Sequence, residues 1–230
     1  TTTPTRALIE HWNGSTWSIV PNPSPGESYN SLDGIDVISA NNIWAVGGFI
    51  NKTVPGHTLI EHWNGSNWSI VPSPSPGTDR NFLSGIEVVS ANNIWAVGNV
   101  ISTPGTSSTT LIEHWNGSKW SVVPSPSPKM DDSPLFGITA LSANDIWAVG
   151  HTESATGTPY QTLSDTLIEH WNGSKWSIVP GPNPSALNVN YLTSVAAIST
   201  NNIWAVGHFQ NGAGFHAPDT FQTLIEHITM

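Results

Sequence analysis

Along this chain, apolar and polar residues alternate in short runs, and the runs recur. In "GIEVVSANNIWAVG", residues 85–98, the alternation over Ile86–Val89 predicts a strand, the Asn-rich Ser90–Asn93 a turn, and Ile94–Val97 a second strand. "TLIEHW" (58–63) reads as a third strand and "SNWSIV" (66–71) as a fourth, joined by Asn64-Gly65, a pair that suits the two φ > 0 positions of a type I′ turn. A two-residue turn there pairs Trp63 with Ser66, Glu61 with Trp68 and Leu59 with Ile70. Both faces of such a sheet carry apolar residues, so it must be sandwiched between neighbours. "PSPSP" (72–76) cannot continue a ladder, because proline has no N–H, and it ends the unit.

The unit repeats at a regular spacing. The Glu of "LIEH" stands at Glu10, Glu61, Glu113, Glu169 and Glu226, and the Trp of "IWAVG" at Trp44, Trp95, Trp147 and Trp204. From each Glu to the next Trp the distance is 34, 34, 34 and 35 residues, whereas from each Trp to the next Glu it is 17, 18, 22 and 22. Nearly all length variation therefore sits in one connection per unit. Four-stranded units of this length predict an all-β chain folded as a β-propeller, with four blades of four antiparallel strands. The expected ring is a single domain over residues 1–230, closed by pairing between the N- and C-terminal strands. Its blades run about 32–82, 83–134, 135–191 and 192–228, the last completed by 7–31, after a Thr/Pro segment at 1–6.

The five "LIEH" runs make seventeen strands where such a ring needs sixteen. The surplus is either the strand with Leu8 and Ile9 or the strand with Leu224 and Ile225. Three placements are open for it: a remnant of a longer array, an added edge strand on the same molecule, or strand addition to the next copy, which builds a filament.

"SANNIWAVG" together with "TLIEHWNGSxWSIVPSPSP" resembles the Trp-rich propeller repeats of bacterial secreted and surface proteins, which are distantly similar to kelch and WD-repeat blades. The resemblance covers almost the whole chain and implies the propeller fold. The chain departs from those blades in having no Trp-Asp ending, and a Gly-Gly after the second strand only at Gly47-Gly48.

Composition agrees with turn-rich β structure: 10% charged residues, with 12 Trp, 18 Pro and 20 Gly. The net charge of −10, with six basic residues scattered along the chain, disfavours nucleic acid as a partner. Without Cys there are no disulfides, thiol nucleophiles or thiolate metal sites. No apolar run approaches the roughly 20 residues of a membrane span. The start, "TTTPT", reads as a linker or a processed terminus, and the expected location is outside the cell or on its surface.

Candidate chemistry is repeated rather than unique. Adjacent strand residues point to opposite faces, so Glu10-His11, Glu61-His62, Glu113-His114, Glu169-His170 and Glu226-His227 are not dyads. They read as buried polar residues that tie blades together by hydrogen bonds. Trp44, Trp95, Trp147 and Trp204, with Trp17, Trp68, Trp120 and Trp176, are expected in the core. Trp12, Trp63, Trp115 and Trp171 flank the hairpin turn, where a ring face can stack on a sugar. The variable connections share one face of a propeller, the expected binding face. They carry His151, Glu153, Tyr160, Asp165, His208, Phe215, His216 and Asp219. No nucleophile elbow, unique carboxylate pair or cofactor loop is present, so neither catalysis, a metal nor a cofactor is expected. The first functional reading is an extracellular structural or interaction protein that associates with itself. The second is a glycan-binding propeller, and a surface protein is the other partner considered.

Overall fold

Alternation of apolar residues on two faces gives sheets that stack. The computed structural model describes residues 3–52, 55–102, 107–128, 132–155, 162–185, 189–211 and 220–228, and in these every element is a strand. A hairpin of β1 (Glu10–Trp12) and β2 (Trp17–Ile19) comes first. Three four-stranded antiparallel blades follow. Blade I is β3 (Tyr29–Ser39), β4 (Asn42–Ile50), β5 (Gly56–Trp63) and β6 (Trp68–Ile70). Blade II is β7 (Arg80–Ser90), β8 (Asn93–Ile101), β9 (Ser108–Trp115) and β10 (Trp120–Val122). Blade III is β11 (Leu135–Ser142), β12 (Asp145–Ala155), β13 (Thr162–Trp171) and β14 (Trp176–Ile178). The last sheet holds three strands, β15 (Asn190–Ser199), β16 (Asn202–Asn211) and β17 (Thr220–Ile228). The fold is all-β and of the propeller type, with first strands side by side from blade to blade.

Period-2 geometry decides which residues meet. In blade I, Trp44, Val46 and Ile60 point forward and pack on the rear face of blade II, against Leu83, Ile86, Ile94, Ala96, Leu111 and Trp120. The same positions repeat between blades II and III, and between blade III and the last sheet. The β1–β2 hairpin seats Ile9 and Val20 on the rear face of blade I, against Ala45 and Trp68.

Two expectations are corrected. The hairpin turn has four residues, because the Asn64 side chain accepts from the backbone N–H of Ser66 (3.0 Å) and Asn67 (3.1 Å) and so holds a wider Asx-type loop. In this turn Gly65 is left-handed, at φ 93°, and the register becomes Trp63 with Trp68, His62 with Ser69 and Glu61 with Ile70. The shift is two residues, so each side chain keeps its expected face. Among the described residues the terminal strands do not pair with each other as expected: β1 pairs with β2, and β17 with β16. The reason is local. β17 occupies the edge of β16 that a closing strand needs, while β1 lies against blade I.

Candidate functional site

The repeated polar residues sit where the sequence puts them, but they bond differently. The Asn42 Oδ1 accepts the indole N–H of Trp44 (2.9 Å) and lies 2.8 Å from His62 Nε2. An amide oxygen only accepts, so the imidazole proton is on Nε2. Asn93, Asp145 and Asn202 repeat this clamp with Trp95 and His114, Trp147 and His170, and Trp204 and His227. These histidines thus brace a Trp within their own blade rather than bridging to the next. Burial lowers the pKa of His62 and His114, which favours the neutral rings.

The glutamates do lie between blades, yet none of the oxygens of Glu61, Glu113, Glu169 and Glu226 makes a hydrogen bond within 3.5 Å, although all four residues are buried. Desolvation raises their carboxyls from 4.5 to about 7, 8, 8 and 7 respectively. Asn22 near Glu61 and Ser125 near Glu169 pull slightly the other way without reaching that distance. Glu10 is exposed because no blade lies behind it, and His11 because the two-stranded hairpin offers it no Asn and Trp like the Asn42 and Trp44 that hold His62.

Polar ties between blades come from residues the sequence reading missed. Asp36 accepts from the Val88 N–H at 2.7 Å, and Glu87 from the Ala140 N–H at 3.1 Å. The buried Asn81 donates to the Gly56 carbonyl of the preceding blade (2.7 Å) and to that of Gly77 (3.0 Å), and accepts from the Gly77 N–H (2.7 Å). The signal was an Asn recurring two residues before the Leu of three of the four first strands, at Asn30, Asn81 and Asn190, with Ser133 at the same place in the fourth. Asn81→Ala strands these backbone groups and is expected to cost about 1–3 kcal/mol in urea unfolding; an unchanged midpoint would contradict the tie.

On the variable-loop face the structure brings together His151, Glu153 and His208 and adds Tyr191. Tyr191 donates to Glu153 at 2.8 Å, and His151 Nε2 lies 3.3 Å from the same Glu153 oxygen. Burial lowers the His151 pKa, and the neighbouring Glu153 opposes that shift. Rings follow one another from Phe136 through His151, Tyr191 and His208 to Phe221. Tyr160, Phe215, His216 and Asp219 lie outside the described residues. Among the described residues no three His, Asp or Glu side chains converge as metal ligands, and no helix is long and apolar enough to cross a membrane.

The strongest departure from the repeat lies at its two ends. Two Trp expected in the core are not there: Trp204 is 41% exposed and Trp17 65%, whereas Trp44, Trp95, Trp147, Trp68, Trp120 and Trp176 are buried. The reason is the missing neighbour, and the two ends lack opposite ones. Leu8 is 61% exposed while Ile9 is buried; Ile225 is 61% exposed while Leu224 is buried. Leucine and isoleucine of "LIEH" point to opposite faces, so the hairpin offers a bare rear face and the last sheet a bare forward face, with Trp204, Val206 and Ile225. Trp12 and Trp17 lie 5.8 Å apart at 44°, the same arrangement as Trp63 and Trp68. In the interior such a pair receives a forward Trp, as Trp115 and Trp120 receive Trp44 at 5.2 and 5.9 Å. Between the hairpin and blade I a cavity of about 330 Å³ is lined by Ile9, His11, Ile35, Val37, Trp63 and Trp68.

Comparisons with known proteins name no family for this chain. No family model matches it, and no curated protein matches it. Among solved structures, it is similar to YCF48 from Cyanidioschyzon merolae at 16% identity and a TM-score of 0.34, over 87% of this chain and 73% of that one. A protein of unknown function from Dyadobacter fermentans DSM 18053 is similar at 10% identity and 0.40, over 94% and 82%. YCF48 bound to D1 peptide is similar at 12% identity and 0.33, over 99% and 89%.

Proposed function

We propose that this chain is a non-catalytic structural or interaction protein that associates with copies of itself head to tail through its two end faces. One observation carries the reading: repeat positions that are buried inside the stack are bare at the two ends, on opposite faces, so that each end displays what the other lacks. Exposed contiguous apolar faces of this kind mark association surfaces. Opposite faces make a heterologous contact, which gives chains or rings rather than an isologous dimer. An extracellular location suits the low charge and the resemblance to Trp-rich repeats of bacterial secreted and surface proteins. Glycan binding on the variable-loop face is the second reading, favoured by the ring row from Phe136 to Phe221.

Mass photometry of the 230-residue chain is expected to show multiples of 24.6 kDa that grow with concentration and persist in free sugar. Salt should strengthen them, since copies of net charge −10 repel one another. Trp204→Glu puts a carboxylate in the centre of the forward face and should return the chain to 24.6 kDa. A parent chain that stays at 24.6 kDa at all concentrations contradicts the proposal.

A further inference from the structure

Building on the self-association proposed above, we infer that contact between copies is made by strand exchange. β1 of one copy replaces β17 on the edge of β16 in another, so that β1 and β2 of the first copy and β15 and β16 of the second form one complete blade.

Three features point to this composite blade rather than to simple stacking of the two end faces. The first is the cavity, whose walls are the rear face of blade I and the hairpin residues Ile9 and His11. In the interior, the equivalent space behind Trp115 and Trp120 is filled by the second strand of the preceding blade, through Trp44 and Val46. Flat stacking leaves the cavity behind the hairpin untouched, whereas pairing β16 with β1 puts Trp204 over Trp63 and Trp68 and Val206 beside Ile35.

The second feature is the quality of the strand already in place. β5, β9 and β13 each end in a Trp that pairs with a Trp on the fourth strand, but at that position β17 carries Ile228, and no fourth strand accompanies it among the described residues. Trp147 therefore rests on Ile203, Leu224 and Ile228, where Trp44 and Trp95 each rest on a Trp pair. β1 with β2 supplies the missing pair, Trp12 and Trp17.

The third is register. In every sheet the second strand sets its Ala opposite the Glu of "LIEH": Ala45 with Glu61, Ala96 with Glu113, Ala148 with Glu169, Ala205 with Glu226. In the composite blade Ala205 faces Glu10, Val206 faces Ile9, and Trp204 faces His11. His11 then takes the Asn202 oxygen that His227 holds at 3.0 Å. Exchange trades one ladder for a like one, so its net gain is the burial of Trp204, Val206, Ile35, Val37, Leu8 and Trp17, all exposed here, less that of Leu224 and Ile228, buried here and released with β17.

The chain has no Cys, so an introduced pair reports a single contact. Mild oxidation of Glu10→Cys/Ala205→Cys is expected to give a ladder of covalent multimers that collapses with reductant, with both positions in one linked peptide. Leu8→Cys/Ile225→Cys, which reports flat stacking, should not link, and Ile225→Glu should leave assembly unchanged because β17 is released. Multimers that link only through positions 8 and 225 overturn strand exchange and leave head-to-tail association standing. A link between 10 and 205 confined to a 24.6 kDa species overturns the second copy as occupant and makes the blade intramolecular. Monomers with no link overturn strand exchange together with self-association.

Discussion

Trp95→Ala should lower the unfolding free energy of the chain by about 3–5 kcal/mol, while Trp204→Ala, the same substitution at the same repeat position, should cost about 1 kcal/mol or less. Trp95 is buried between blades II and III and is touched by Trp171 at 5.1 Å and Trp176 at 5.7 Å, with Ile146, Ala148 and Leu167 around it. Its removal leaves a cavity at an interface that cannot collapse without moving two sheets, and it takes the indole N–H from the Asn93 oxygen, which keeps only His114 as a partner. Trp204 keeps the equivalent clamp on Asn202 but has no sheet in front of it. Its truncation removes little packing. Guanidinium unfolding followed by near-UV circular dichroism, at a concentration below assembly, measures both. Equal losses would show that the forward face of the last sheet is covered in the isolated chain, and would remove the basis for the proposed association.

The contrast between two residues in identical local sequence shows where sequence reasoning ends. Strand type and facing direction were legible because they depend on alternation and on turn residues a few positions away. Trp95 and Trp204 both stand in "NNIWAVG", and nothing within that segment distinguishes them. What separates them is the sheet that follows, a property of the array. The register of the hairpin was misjudged for a local reason: Asn-Gly is the pair for a two-residue turn, but the Asn oxygen also caps two later N–H groups, and that second use won. The buried position of these glutamates was legible from "LIEH", whereas their lack of hydrogen bonds was not, since Ser73 and Ser125 are engaged by Thr58 (2.7 Å) and Thr110 (2.8 Å). Tyr191 escaped notice because it lies on a strand and not in a variable connection, although the fold delivers it to the same face.

Those glutamates give the protein a stability that should decline as the pH rises from about 4.5 to about 8, and Glu113→Gln should remove its own part of the decline. The Glu113 carboxyl, fully buried and facing no cation, is raised by desolvation from 4.5 to about 8. Between those two values the folded chain holds a proton that the unfolded chain has released, so raising the pH favours unfolding. The stabilisation is complete below about pH 4.5 and is lost as the pH passes through 8. Glu169 behaves alike, and Glu61, Glu226 and Glu87, near 7, act earlier in the window. The half-buried His62 and His114 oppose this trend only below their ordinary 6.5, where protonation disfavours the fold. At about 1.4 kcal/mol per pH unit, Glu113 sets a ceiling of about 5 kcal/mol, and water entering the interface on ionisation should bring the observed loss to roughly 1–3 kcal/mol. Glutamine keeps the shape and carries no charge, so at pH 9 the variant should melt above the parent chain, and at pH 5 at or slightly below it. Melting curves of parent and variant that run parallel from pH 5 to 9 would mean that Glu113 ionises in place without cost, and that the gap between blades already admits water.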